Sequence, residues 1–164
     1  MLEKLKAGLE KLTGRDLEKL ERQERTINQN SPLLDIETSF QARIAAQALG
    51  TNFHELMDLP LKKYDALCAA VRQYLAQPAP NLDIEKLKEN LDKLTGHDLE
   101  AVTIAERRAG NQAVKLDASK SFQARLAAKA LDMDLEALRD MSMLDYNAAV
   151  VTVFILRNTP DSPT

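Results

Sequence analysis

The sequence predicts an all-α protein, and three observations carry the prediction. Ala, Leu, Lys and Glu are abundant, whereas 164 residues contain only five Gly and six Pro and no Trp. Those four abundant residue types lose little rotamer freedom in a helix. Apolar residues recur at three- and four-residue spacing, the period of a helix lying on a core. Finally, the helical punctuation is written twice. Lys11-Leu12-Thr13-Gly14-Arg15-Asp16-Leu17-Glu18 returns as Lys93-Leu94-Thr95-Gly96-His97-Asp98-Leu99-Glu100, and Ser39-Phe40-Gln41-Ala42-Arg43 as Ser121-Phe122-Gln123-Ala124-Arg125. Both pairs stand 82 positions apart, and with no gap about 30 of roughly 80 aligned positions are identical.

In chain order, Leu2, Leu5, Leu9 and Leu12 form the stripe of a first helix that stops at Thr13-Gly14. Thr13 is a good N-cap for a second helix carrying Leu17 and Leu20, with Asp16 near its positive end. A polar loop, Asn28 to Pro32, leads to Asp35, the expected cap of a third helix with apolar Phe40, Ile44, Ala45 and Ala48, which ends at Gly50. Asn52 followed by Glu55 predicts a capping box for a short helix over Phe53 to Met57. Pro60 opens the longest helix, with Leu61, Tyr64, Leu67, Cys68, Val71 and Leu75 along one stripe. In the second copy Ser142 replaces Pro60 as a cap, with Asp145 three residues on.

This organisation predicts two related small bundles of about five helices, residues 1–80 and 81–164, joined at Gln77-Pro78-Ala79-Pro80-Asn81, where the prolines impose extended backbone. A unit of that size buries little surface alone, so the two are expected to pack together.

Composition narrows the function classes. With 45% hydrophobic and 29% charged residues the chain reads as soluble and globular. Its N-terminus, broken by Glu3, Lys4, Lys6, Glu10 and Lys11, lacks the apolar core of a signal peptide, and Ala148 to Leu156 is too short to span a bilayer. A single cysteine excludes an internal disulfide and suits a reducing cytoplasm. The net charge is −3, with 11 basic and 11 acidic side chains in the first 82 residues and 11 and 14 in the rest, so no global field collects nucleic acid.

The repeat supplies an internal comparison for candidate functional residues. His54 aligns with Glu136 and His97 with Arg15, so neither histidine recurs and no metal ligand set is expected. Cys68 aligns with Val150, as a small core residue would. Phosphate loops, nucleophile motifs and zinc motifs are missing, which predicts a non-enzymatic protein without cofactor. Glu18, Glu21 and Glu24 alternate with Lys19, Arg22 and Arg25 as on a solvated helix face. The polar residues identical in both copies, Arg43 and Arg125, Tyr64 and Tyr146, are candidate partner contacts. The competing expectation is that each Arg bridges to Asp58 or Asp140 in its own half. Arg72, Gln73 and Tyr74 become Phe154, Ile155 and Leu156, three apolar neighbours that are either buried between the halves or part of a binding surface.

Ala42 to Gly50 followed by a helix from Asn52 imitates a helix-turn-helix, which makes a DNA-binding regulator the alternative function. The would-be recognition helix, Phe53 to Asp58, is net acidic, as is its copy Leu135 to Asp140, and carboxylates oppose phosphate neutralisation. A structural or adaptor helical protein is the remaining alternative.

Each half has a Thr-Gly-x-Asp-Leu start and a middle helix Phe40-Gln41-Ala42-Arg43-Ile44-Ala45-Ala46-Gln47-Ala48-Leu49-Gly50. A short helix, Asp58-Leu59-Pro60 and a closing helix from Tyr64-Asp65-Ala66-Leu67 to Tyr74-Leu75 follow. In this it resembles the small helical tail assembly chaperones of tailed phages and prophages, here in tandem and with Asp132 and Ser142 in place of Gly50 and Pro60. The resemblance implies a cytoplasmic, non-enzymatic protein of the bacterial host, absent from the mature virion. It would bind the tape-measure protein and pass it to the tail-tube protein, with a homo-oligomer as a further expected association and no nucleic-acid or membrane partner.

Overall fold

In the computed structural model, which describes residues 1–31 and 33–159, the chain is all-α. Its helices are α1 (Leu2–Leu9), α2 (Gly14–Arg25), α3 (Thr38–Leu49), α4 (Phe53–Met57), α5 (Leu61–Leu75), α6 (Ile84–Leu91), α7 (Gly96–Arg108), α8 (Lys120–Leu131), α9 (Leu135–Asp140) and α10 (Met143–Asn158). Single 3-10 turns stand at Leu34–Ile36 and Leu116–Ala118. All first-half elements recur 82 residues on, and only α7, α9 and α10 run one residue longer at the C-terminal end. Among the described residues there is no strand, only an isolated antiparallel bridge between Thr13 and Ser142. No described helix is long and apolar enough to cross a membrane.

Local chemistry explains most boundaries. The Thr13 N–H donates to Asp16 at 2.9 Å and closes the N-terminus of α2, as the Thr95 N–H does to Asp98 at 2.8 Å for α7. Gly50 ends α3 at φ +66°, in the left-handed region where a Cβ is penalised, and Asp132 takes the same conformation at φ 51° after α8. Two expected caps are different. Asp35 lies in the 3-10 turn, and Glu37 stands at the cap position of α3, because the turn inserts itself before the helix. Asn52 accepts the His54 N–H at 2.9 Å, but Glu55 is drawn to the Thr51 hydroxyl and does not complete a reciprocal box. Pro32, the last residue of the expected loop, lies outside the described residues.

Within each half the middle helix is the hub: α3 packs on α1, α2, α4 and α5, and α8 on α6, α7, α9 and α10. Phe40, Ala42, Ile44 and Ala45 of α3 are buried, as are Phe122, Ala124, Leu126 and Ala127 of α8. Gly8 lets α1 approach α3 so closely that a Cβ there would overlap the Ala48 carbonyl. At the equivalent crossing Asn90 donates to the Ala130 carbonyl at 2.9 Å, so one close approach is made by steric fit and the other by a hydrogen bond. One continuous buried cluster runs through both halves. The link between them is held by Asp145, fully buried at the start of α10, whose carboxylate accepts from the Asn81 and Leu82 N–H groups at 2.9 and 3.0 Å.

Candidate functional site

The seam between the halves is made by α2. Its acidic residues Glu18, Glu21 and Glu24 are not a solvated face: they are 6%, 6% and 0% exposed. A spacing of three keeps them on adjacent turns of one side. Glu18 accepts from Arg139 at 3.0 Å and from the Tyr146 hydroxyl at 2.6 Å. Glu21 accepts the Lys120 N–H with both oxygens, at 3.0 and 3.1 Å, and so caps the N-terminus of α8 from the other half. Burial pushes the Glu21 carboxyl up to about 6, against the pull of Lys120. Arg15 reaches across to Glu136 and Asp140 at the exposed rim, and Lys120 Nζ meets Asp35 at 2.9 Å. Backbone pairing completes the seam: Gly14 N–H donates to Met141 O at 3.2 Å and Met143 N–H to Leu12 O at 2.9 Å.

Gly14 belongs to this seam because Tyr146 lies on it, so that a Cβ at Gly14 would overlap the ring and stand 2.9 Å from the Tyr146 Cβ. Tyr146 is completely buried, and desolvation together with neighbouring Glu18 raises its hydroxyl well above its ordinary range, so it remains a donor. That burial removes Tyr146 from the surface available to partners. Its counterpart Tyr64 is half-buried, with its hydroxyl 3.4 Å from Thr38 O.

Arg43 and Arg125 serve a second, repeated arrangement. Arg43 donates to Glu24 at 2.6 Å and Arg125 to Glu106 at 2.8 Å, each pair joining the second helix of its half to the middle helix. Ser39 and Asn28 complete the shell of Glu24, and Ser121 and Asn111 that of Glu106. Burial opposes ionisation of Glu106, but the hydrogen bonds from Ser121, Asn111 and Arg125 outweigh it and hold the carboxyl below its usual range. The anticipated bridges to Asp58 and Asp140 are not made: Asp140 is taken by Arg15, and Asp58 is exposed. Arg43 also lies over the Phe53 ring, 4.1 Å from its centroid.

Between α2 and the loop before α8 lies a crevice of about 350 Å³, lined by Glu18, Glu21, Arg25, Glu106, Asn111 and Arg139. Its carboxylates already hold protein donors. No cluster of His, Cys, Asp and Glu suited to a metal occurs among the described residues. Cys68 is buried, and burial raises its thiol, which suits a core residue better than a nucleophile.

Further openings lie at the end of α10. Phe154 is half-buried and lines both the crevice beside Leu33, Leu34 and Asp35 and a second cavity of about 650 Å³ shared with Leu99, Thr103 and Val114. Ile155 and Leu156 are 53% and 37% exposed. Leu156 borders a groove of about 260 Å³ with Leu91, Leu94, Leu99 and Leu126. The apolar triplet therefore divides, Phe154 turning towards the seam and its two neighbours towards solvent. Sequence reasoning missed the α2 seam; its one available signal was Glu21, which becomes Thr103 in the copy. No family model, curated protein or solved structure matches the chain.

Proposed function

We propose that the protein is a non-enzymatic tail assembly chaperone of a phage or prophage, which binds the tape-measure protein in the host cytoplasm and promotes tail-tube assembly. The supporting observation is the opening at the end of α10, where exposed Leu156, next to exposed Ile155, borders the leucine-lined groove between α6, α7 and α8. A contiguous apolar patch on a soluble domain marks an interaction surface. An amphipathic helix seats its i, i+3 or i+4 and i+7 side chains in such a groove, and a long helical tape-measure chain offers many segments of that kind. The net charge of −3 keeps the body soluble without attracting nucleic acid.

Co-expression with the tape-measure product of the same genome tests the reading. The wild-type chain should hold that product in a soluble complex. Replacing Ile155 and Leu156 together by Glu should abolish capture while leaving the far-UV circular dichroism and melting temperature in place. An insoluble tape-measure product in the presence of the wild-type chain would overturn the proposal.

A further inference from the structure

Apart from a contact between α5 and its counterpart α10, the halves meet in one direction. The α2 face of the first half seats on α8, α9 and α10 of the second, whereas α7, the counterpart of α2, packs chiefly on α8 of its own half. An interface that uses different surfaces on two like units leaves one of each surface unused. Here the unused pair is the α7 face at one end and, at the other, the side of the α3–α5 layer that carries exposed Ile36, Met57 and Leu61.

We propose that copies of this chain associate head to tail, the α7 face of one seating on the α3–α5 face of the next in the arrangement by which α2 seats on α8–α10. The residues at the centre of the built seam recur: the seat is open on α7, and the matching tyrosine on α5 is half-buried with its hydroxyl turned to Thr38 O. Gly14 and Glu18 receive Tyr146; Gly96 and Glu100 are their identical counterparts on α7, and Tyr64 is the identical counterpart on α5. Gly14 and Glu18 are buried, but Gly96 and Glu100 are exposed. Nothing lies within 4 Å of a Cβ placed on Gly96, and only Gly50 and Gly110 among the described glycines have positive φ, so the monomer itself gives no steric or backbone reason for a glycine there.

The receiving face shows the same signature. Ile36, Met57 and Leu61 are 66%, 53% and 71% exposed. Their counterparts Ala118, Arg139 and Met143 all bond the first half, through Arg25, Glu18 and Leu12 respectively. Leu61 was expected on the core stripe of α5; its exposure leaves an apolar side chain at the position equivalent to the fully buried Met143, whose backbone N–H pairs with Leu12 of the first half. Exposed apolar residues gathered on such a face are what a protein partner covers. Of the charged contacts, Arg15 with Asp140 becomes His97 with Asp58, while Glu18 with Arg139 becomes Glu100 with Met57. The copy of the seam therefore keeps its steric and apolar parts and loses the buried Glu18–Arg139 ion pair, which makes it a reversible contact between chains.

The inference rests on the repeat geometry and not on the chaperone reading, so the purified full-length chain without client is the right material. Sedimentation velocity from micromolar to near-millimolar concentration should show the wild-type sedimentation coefficient rising with concentration. Gly96→Ala places a methyl group where Tyr64 of the next copy would lie, and Leu61→Glu places a charge on the receiving face. Both sites are exposed, so each variant should keep the wild-type circular dichroism and remain monomeric alone. Mixed in equal amounts, the two variants should form a 1:1 dimer and nothing larger, since each retains the face the other has lost. A wild-type chain that stays monomeric throughout would overturn the proposal. So would association that survives both substitutions, or variants that fail to complement each other.

Discussion

Glu21 shows how one side chain records its surroundings. In the unfolded chain its carboxyl titrates near the ordinary glutamate value, whereas in the fold burial carries it up to about 6. The folded state therefore holds the proton more tightly. The stability linked to this group is fully present below the unfolded value and is lost as pH rises through about 6. A displacement of that size corresponds to about 2 kcal/mol. Glu21→Gln keeps an acceptor for the Lys120 N–H without the charge. Chemical denaturation should find the variant more stable than wild type by up to about 2 kcal/mol above pH 7, with the gap closing towards pH 4.5. A gap independent of pH would mean that Glu21 ionises as it would in water. Glu106 acts with the opposite sign: its lowered carboxyl contributes stability above the ordinary value and loses it as acid is added.

At the scale of elements, the chemistry of α2 and α7 separates what a sequence reveals from what packing decides. Thr-Gly-x-Asp marks the start of both helices, and the fully buried Leu17 lies at the expected spacing. Such signals are local, so they are legible without knowing the neighbours. The role of the carboxylates is not local. Glu18 is buried and Glu100 exposed although the residues are identical, because α2 meets the other half and α7 does not. Alternating Glu and Arg reads as a solvated face only while no partner for it is known. Phe154 divides from Ile155 for the same reason, since Leu33, Leu34 and Asp35 of the first half reach the side of α10 that carries Phe154. The Arg43–Glu24 pair, tying α3 to α2, gives a test at this scale. Glu24→Ala leaves Arg43 without its carboxylate in a setting where that side chain is only 14% exposed, and should cost about 3–5 kcal/mol in urea denaturation. The double variant Glu24→Ala with Arg43→Ala should lose less than the two single losses combined, and simple additivity would contradict the coupling.

At the scale of the molecule, one chain contains the same run of helices twice but uses the two runs differently. The first half contributes an acidic helix face, the second a receptor built from α8, α9 and α10, and the buried cluster passes without interruption between them. Exposure follows from that asymmetry: counterparts of buried seam residues are the exposed Gly96, Glu100 and Leu61. The apolar opening proposed for a client also lies on the second half, at Leu94, Leu99 and Leu156, beside the unused α7 face. A second copy and a client would therefore contend for one edge of the molecule.

The unequal use of the two runs is tested most directly by introducing the same methyl group at equivalent positions. Gly14→Ala drives a Cβ into the Tyr146 ring, whereas Gly96→Ala meets open space. Urea denaturation of the dilute, monomeric protein should show Gly14→Ala less stable than wild type by about 1–3 kcal/mol, the usual cost of overpacking, and Gly96→Ala unchanged or slightly more stable. Equal losses at the two positions, or the larger loss at Gly96, would contradict a seam that uses α2 and leaves its counterpart α7 free.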